Sequence, residues 1–218
     1  SERALRRYRT YSRRAIAVAT GGISRPVFFM HIPKCGGTSV AESLYATVPV
    51  HRRIGVIDAT ATRRAAAIVH AGRDDVFACH DDLENGHHTY ALREEMLLMH
   101  MAWGSRLIHG HVLFSDRAHA LFGDRYVHAT LLRGPVARML SNFGHSRHDG
   151  FIPPDFDAYL DHAAARSHAR TLLRFFAGQH AIAESAVPDA VARAKRNMDR
   201  FAIVGFRSEQ HTSELQSR

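Results

Sequence analysis

At 218 residues the chain is long enough for one domain with a substantial core and short for two. It carries 29 Lys and Arg against 21 Asp and Glu, a formal charge of +8, so its natural partners are anions, although charge alone does not choose among nucleotides, glycans, nucleic acids and membranes. Two cysteines, Cys35 and Cys79, exclude a disulfide framework, and residues 15–22 are too few and too small for a membrane span or a full signal-peptide core.

Residues 3–14, RALRRYRTYSRR, read as a basic arm, part of a solvated lead-in over 1–24. A strand at 27–31 leads to a helix at 38–46, and a weaker strand at 53–57 to a helix at 61–70. Residues 76–80 read as a strand and 90–102 as a helix with Leu92, Met96 and Met99 on one stripe, and Met96, Leu97, Leu98, Met99 and Met101 read as core packing rather than a cofactor box. Then come a strand at 107–111, a short helix at 116–122, a strand at 126–132 and a helix at 135–145. Helices at 155–160, 166–176 and 188–200 precede a last strand at 201–206, with 178–188 a loop inside the domain. Strands alternating with helices predict an α/β fold over 25–206, a three-layer, mainly parallel sheet flanked by helices. The tail from 207 to 218 breaks every preceding pattern; RSEQHTSELQS is similar to the translated read-through of a common sequencing adapter, so the natural sequence is expected to end near Phe206 or Arg207.

Residues 27–40, VFFMHIPKCGGTSV, carry the strongest chemical signal. A strand runs into a glycine turn and then a helix start, where unpaired backbone N–H groups and the positive end of the helix dipole converge. Gly36 and Gly37 let the backbone approach a bulky oxyanion, and Lys34 supplies a mobile positive charge. The segment is expected to bind phosphate or sulfate. It is not a G-x-x-x-x-G-K-[ST] loop, because Lys34 precedes the glycines, and G-x-G-x-x-G is absent.

HIPKCGGTS resembles the 5′-phosphosulfate loop of sulfotransferases of the heparan sulfate 2-O-sulfotransferase-like branch, which use 3′-phosphoadenosine 5′-phosphosulfate (PAPS). Residues 126–141, YVHATLLRGPVARMLS, resemble the 3′-phosphate motif of the same family through Arg133, Pro135, Val136, Arg138 and Ser141, with Gly134 where the family has aspartate. Arg133, at a strand end, can grip a phosphate bidentately. If Gly134 caps the following helix, its glycine costs only a few tenths of a kcal/mol relative to aspartate. In residues 106–115, RLIHGHVLFS, His109 and His111 are two apart on a strand and share a face, and the string resembles the histidine pair of the 2-O-sulfotransferase branch.

The resemblance implies a P-loop-like sulfotransferase architecture and transfer of a sulfuryl group from PAPS to a hydroxyl, of a carbohydrate or other glycan acceptor. It places Lys34 at the leaving oxygen, the backbone of Cys35, Gly36, Gly37, Thr38 and Ser39 around the phosphosulfate, and Arg133 and Ser141 on the 3′-phosphate. It makes His111, or His109 in its place, the general base. With 17 histidines in the chain, only the position of this pair between the two phosphate motifs sets it apart from residues such as His162, His168 and His180.

Residues 79–88 contain Cys79, His80, Asp81, Asp82, His87 and His88 without a recurrent ligand spacing, so no metal site is expected there. No nucleic-acid-reading motif accompanies the basic residues. The alternatives are a P-loop-like nucleotide kinase, which needs a lysine after the glycines and an acidic magnesium ligand, and a non-catalytic anion- or glycan-binding fragment. No export or anchor signal is visible, which points to the cytoplasm, although a segment upstream of Ser1 is compatible with one.

Overall fold

Burial along β1 (Val27–Met30) assigns the layers of the molecule, which a computed structural model describes over residues 2–208. Phe28 and Met30 enter one hydrophobic cluster with Ile108, while Phe29 enters another with Leu107 and Ala129, as alternation on a strand covered on both faces requires. β1 is the middle strand of a five-stranded, wholly parallel sheet with β2 (Ile54–Ile57), β3 (Leu107–Gly110), β4 (Val127–Arg133) and β5 (Ile203–Arg207), in the order β2-β3-β1-β4-β5. Val27 pairs with Leu107 on one side and Val127 on the other, which brings the carboxyl ends of β1, β3 and β4 to one edge.

The Phe28 face is covered by α4 (Gly86–Ala102), α5 (Asp116–Phe122), α9 (Thr171–Ala177) and α10 (Val187–Met198), through Leu97, Met101, Phe175, Phe176 and Ala194. The Phe29 face is covered by α2 (Gly37–Ala46), with Ala41, Val40 and Leu44 against the sheet. The predicted three-layer α/β fold is therefore present. The remaining helices are α1 (Glu2–Thr20), α3 (Ala59–Ala71), α6 (Pro135–Ser146), α7 (Phe156–Asp161) and α8 (Ala163–Ala169).

Three segments differ from the sequence reading. The expected solvated lead-in forms α1, because it contains no helix breaker before Gly21 and Gly22. It packs along α2 with Ala17 buried, and Arg14 donates to the carbonyls of Val48 and Arg52, each at 2.9 Å. The expected strand at 76–80 is a run of turns: Phe77 N–H bonds the Asp75 carboxylate at 2.9 Å, and Ala78 N–H bonds the Asp75 carbonyl at 3.0 Å. Local satisfaction by Asp75 removes the need for a sheet partner. The expected helix at 166–176 breaks at Arg170, because the His168 carbonyl is taken by Thr171 Oγ1 at 2.9 Å and by the buried Arg138 guanidinium. Of the predicted tail, Arg207 closes β5 in register with Arg133, and residues 209–218 lie outside the described residues.

Candidate active site

A cleft of about 420 Å³ opens at the carboxyl edge of the sheet, where ligands of parallel α/β folds bind. One wall is the loop from β1 to α2, with His31, Pro33, Lys34, Gly36, Gly37 and Thr38. Gly36 is the N-cap of α2 at φ 86°, no side chain caps the helix, and its first turn holds no acidic residue. The first N–H groups of α2 thus face the cleft without a side-chain acceptor, and the dipole favours an anion there. Lys34 is the only non-glycine described residue with positive φ, at 64°. Such a conformation costs of order 1–3 kcal/mol and is typical of ligand-binding loops.

Gly37 has a different reason to be glycine from the one its sequence suggests. A Cβ there would lie 2.6 Å from His31 Nε2, so the missing side chain makes room for the His31 ring. A Cβ on Gly36 would lie 3.3 Å from Arg207 Cδ and from one terminal guanidinium nitrogen, which places that arginine over the loop. Arg207 lines the cleft, its register partner Arg133 donates to the Lys34 carbonyl at 3.3 Å, and Ser141 reaches the cleft from α6. Burial lowers the Lys34 pKa, and repulsion from Arg133 lowers it further, against a smaller opposing pull from Asp149. Three cations and an uncapped helix N-terminus therefore converge at the loop wall.

The predicted residues are divided by this geometry. Lys34, Gly36, Gly37, Thr38, Ser141 and His111 line the cleft. Cys35 is buried beneath the loop, where desolvation raises its thiol pKa despite nearby Arg138. Ser39 faces a groove between α1 and α2, and Arg133 lies beneath Lys34. Gly134 is the N-cap of α6 without a side-chain bond, as its glycine implied. Arg138 is buried behind the loop as a strut to α8.

The two histidines have separate environments. His111 lies just past β3, and its Nδ1–H donates to the His31 carbonyl at 2.6 Å. That bond fixes the tautomer and leaves Nε2 as the lone-pair nitrogen. Burial, helped by the positive charge of Arg93, lowers the His111 pKa to about 4, so the ring is neutral at pH 7. His109 has both ring nitrogens engaged, Nδ1 with the Tyr45 hydroxyl at 2.8 Å and Nε2 with His31 Nδ1 at 3.1 Å. A base needs a free lone pair near its substrate; His111 has one and His109 does not.

The facing wall comes from residues 77–82 and 149–151. Phe77, His80 and Phe151 stack, with His80 and Phe151 centroids 4.0 Å apart, and offer an aromatic surface to a planar or sugar ring. Beneath them, burial pushes the Asp81 carboxyl up, but Arg93 at 2.8 Å and Arg63 at 2.8 Å outweigh it and hold the pKa at about 2. Asp82 is held low in the same way by His168 and Arg174. Arg93 also donates to the His111 carbonyl at 3.1 Å, tying this wall to the base.

His31, Tyr45, Arg207 and the Phe77–His80–Phe151 stack were missed at the sequence level. His31 was within the quoted loop, and its place immediately before Ile32-Pro33-Lys34 was the available signal. Among the described residues no helix is long and apolar enough to cross a membrane, and no group of three or more His, Cys, Asp or Glu side chains is arranged to hold a metal ion. The chain matches no protein-family model, and no curated protein matches it.

Proposed function

We propose that the chain is a PAPS-dependent sulfotransferase acting on a hydroxyl of a carbohydrate or similar acceptor. The observation that carries this reading is the convergence of Lys34, Arg133 and Arg207 with the uncapped start of α2, one wall away from a neutral histidine with a free lone pair. PAPS fits the donor set: an anionic group suits the helix start and the cations, and the Phe77–His80–Phe151 surface suits a ring.

PAPS, when bound, supplies a sulfuryl group whose sulfur is attacked by the acceptor oxygen while the bond to the phosphate oxygen breaks. Lys34 stabilises the charge gathering on that leaving oxygen, alongside the N–H groups from Gly36 to Ser39. His111 Nε2 takes the acceptor proton, and its Nδ1–H bond to the His31 carbonyl holds the ring against the resulting positive charge. Ser141 and Arg133 hold the 3′-phosphate, which separates this donor from ATP. The acid limb of activity lies near pH 4, below the ordinary histidine value of about 6.5, because burial disfavours the imidazolium.

Transfer of radiolabelled sulfate from PAPS to a panel of oligosaccharides tests the reading. The parent labels an acceptor, His111→Ala abolishes labelling with bisphosphate binding intact, and His109→Ala is milder. A double variant lacking both histidines that keeps parental labelling and pH dependence removes the base assignment.

A further inference from the structure

Tyr45 stands on the last turn of the helix whose first turn forms the loop wall, and its hydroxyl reaches back to the histidines. The contacts form one line: Tyr45 Oη to His109 Nδ1 at 2.8 Å, His109 Nε2 to His31 Nδ1 at 3.1 Å, and the Cδ2–Nε2 edge of His31 against Gly37 in the cleft wall. The His31 carbonyl then receives His111 Nδ1–H at 2.6 Å. Tyr45 and His109 line a second cavity of about 250 Å³ behind the cleft, and His31, Thr38 and His111 line both spaces. The histidines are thus a shared partition between the two spaces. The phenol is held in its protonated, donating form, since burial raises its pKa to about 12, aided by Glu42.

We propose that Tyr45 is a positioning residue that sets the polarity of this line: its O–H donates to His109 Nδ1, His109 Nε2–H donates to His31 Nδ1, and His31 is left with a fixed Nε2–H donor facing the anion held by the loop. His31 then acts as a neutral hydrogen-bond donor to that anion while its carbonyl holds the base. One helix thereby sets both ends of the reaction, the anion at its start and the histidines at its last turn. The neutral state of His31 agrees with this role, because burial and the neighbouring His111 and His109 lower its pKa to about 2. This inference rests on the sulfotransferase reading only for the identity of the anion.

Long-range nitrogen–proton NMR on the full chain with ¹⁵N-labelled histidine, at neutral pH without ligand, tests it. His31 and His109 are expected as single Nε2–H tautomers and His111 as the Nδ1–H tautomer. Tyr45→Phe keeps the ring and removes the hydroxyl; it should leave His109 and His31 as tautomer mixtures while the core residue His128 is unchanged. A His31 Nδ1–H tautomer in the parent overturns the proposal with no variant needed. So do His31 and His109 spectra that are the same in parent and Tyr45→Phe. Adenosine 3′,5′-bisphosphate is then added: a shift of the His31 Nε2–H resonance supports the donor role, and binding without that shift overturns it. Failure of the bisphosphate to bind overturns the nucleotide reading instead, with the ligand-free tautomers still deciding the role of Tyr45.

Discussion

The loop wall of the cleft is built on one continuous stretch from His31 to Thr38, whereas the facing wall is held by arginines from distant parts of the chain. On the loop wall like charges meet: α2 has no side-chain cap, and Lys34 and Arg133 repel each other. On the facing wall the charges are matched: Asp81 pairs with Arg63 and Arg93, and Asp82 with Arg174 and His168. The first wall gathers positive charge that an anion would balance, and the second is built of opposite charges already in pairs. A ligand is therefore expected to change the first wall and to rest against the second.

The largest effect should come from the buried neutral histidines, His31 and His111 where the walls meet and His128 in the core. Burial holds His31 at about 2 and His111 and His128 at about 4, so between about pH 4 and 6.5 the unfolded chain binds protons that the folded chain refuses. Stability should fall as pH drops through that window, by up to about 2 kcal/mol for each of the three at pH 5. Urea unfolding at pH 7 and pH 5 measures the loss, and equal stabilities contradict it.

Breaking the facing wall should come next. Arg93 is fully buried and donates to Asp81, Thr62, Ala59 and His111. Arg93→Met leaves Asp81 short of a partner and should cost roughly 3–5 kcal/mol of stability, read as a lowered unfolding midpoint. Breaking the loop wall should spare the fold and strike turnover. Lys34→Ala should lower transfer by about 10²–10³ while bisphosphate affinity changes far less, because the charge matters most as the leaving oxygen becomes anionic. Equal turnover in variant and parent takes Lys34 out of the mechanism.

Arg133→Ala sharpens the contrast within the loop wall. It should weaken adenosine 3′,5′-bisphosphate by roughly 1.5–3 kcal/mol and leave adenosine 5′-phosphosulfate nearly unchanged. Equal weakening of both assigns Arg133 to holding the Lys34 carbonyl alone. The smallest effect belongs to Gly134, which has open space where a Cβ would stand and no side-chain cap to lose. Gly134→Asp should raise thermal stability by only a few tenths of a kcal/mol, and a loss of several kcal/mol would show that the α6 start depends on glycine.

The same contrast governs how much the sequence disclosed. The loop was legible because strand, glycine turn and helix start are contiguous, and β3 with its histidine pair was legible for the same reason. The facing wall was not: His80, Asp81 and Asp82 become a wall only when Arg93 and Arg174 arrive from other helices, and 76–80 has the pattern of a strand that Asp75 winds into turns. Arg207 reads as the start of a foreign tail, since nothing local shows that β5 pairs it with Arg133. The separate duties of His109 and His111 were hidden as well, because the partner that occupies His109 Nδ1 is Tyr45, on the far turn of α2.

Calorimetric titration with adenosine 3′,5′-bisphosphate, against ATP and ADP, tests the central claim most directly. The account predicts tight binding of the bisphosphate, little heat from ATP or ADP, and loss of that preference in Arg133→Ala. Preference for ATP, or bisphosphate binding that Arg133→Ala does not weaken, would contradict it.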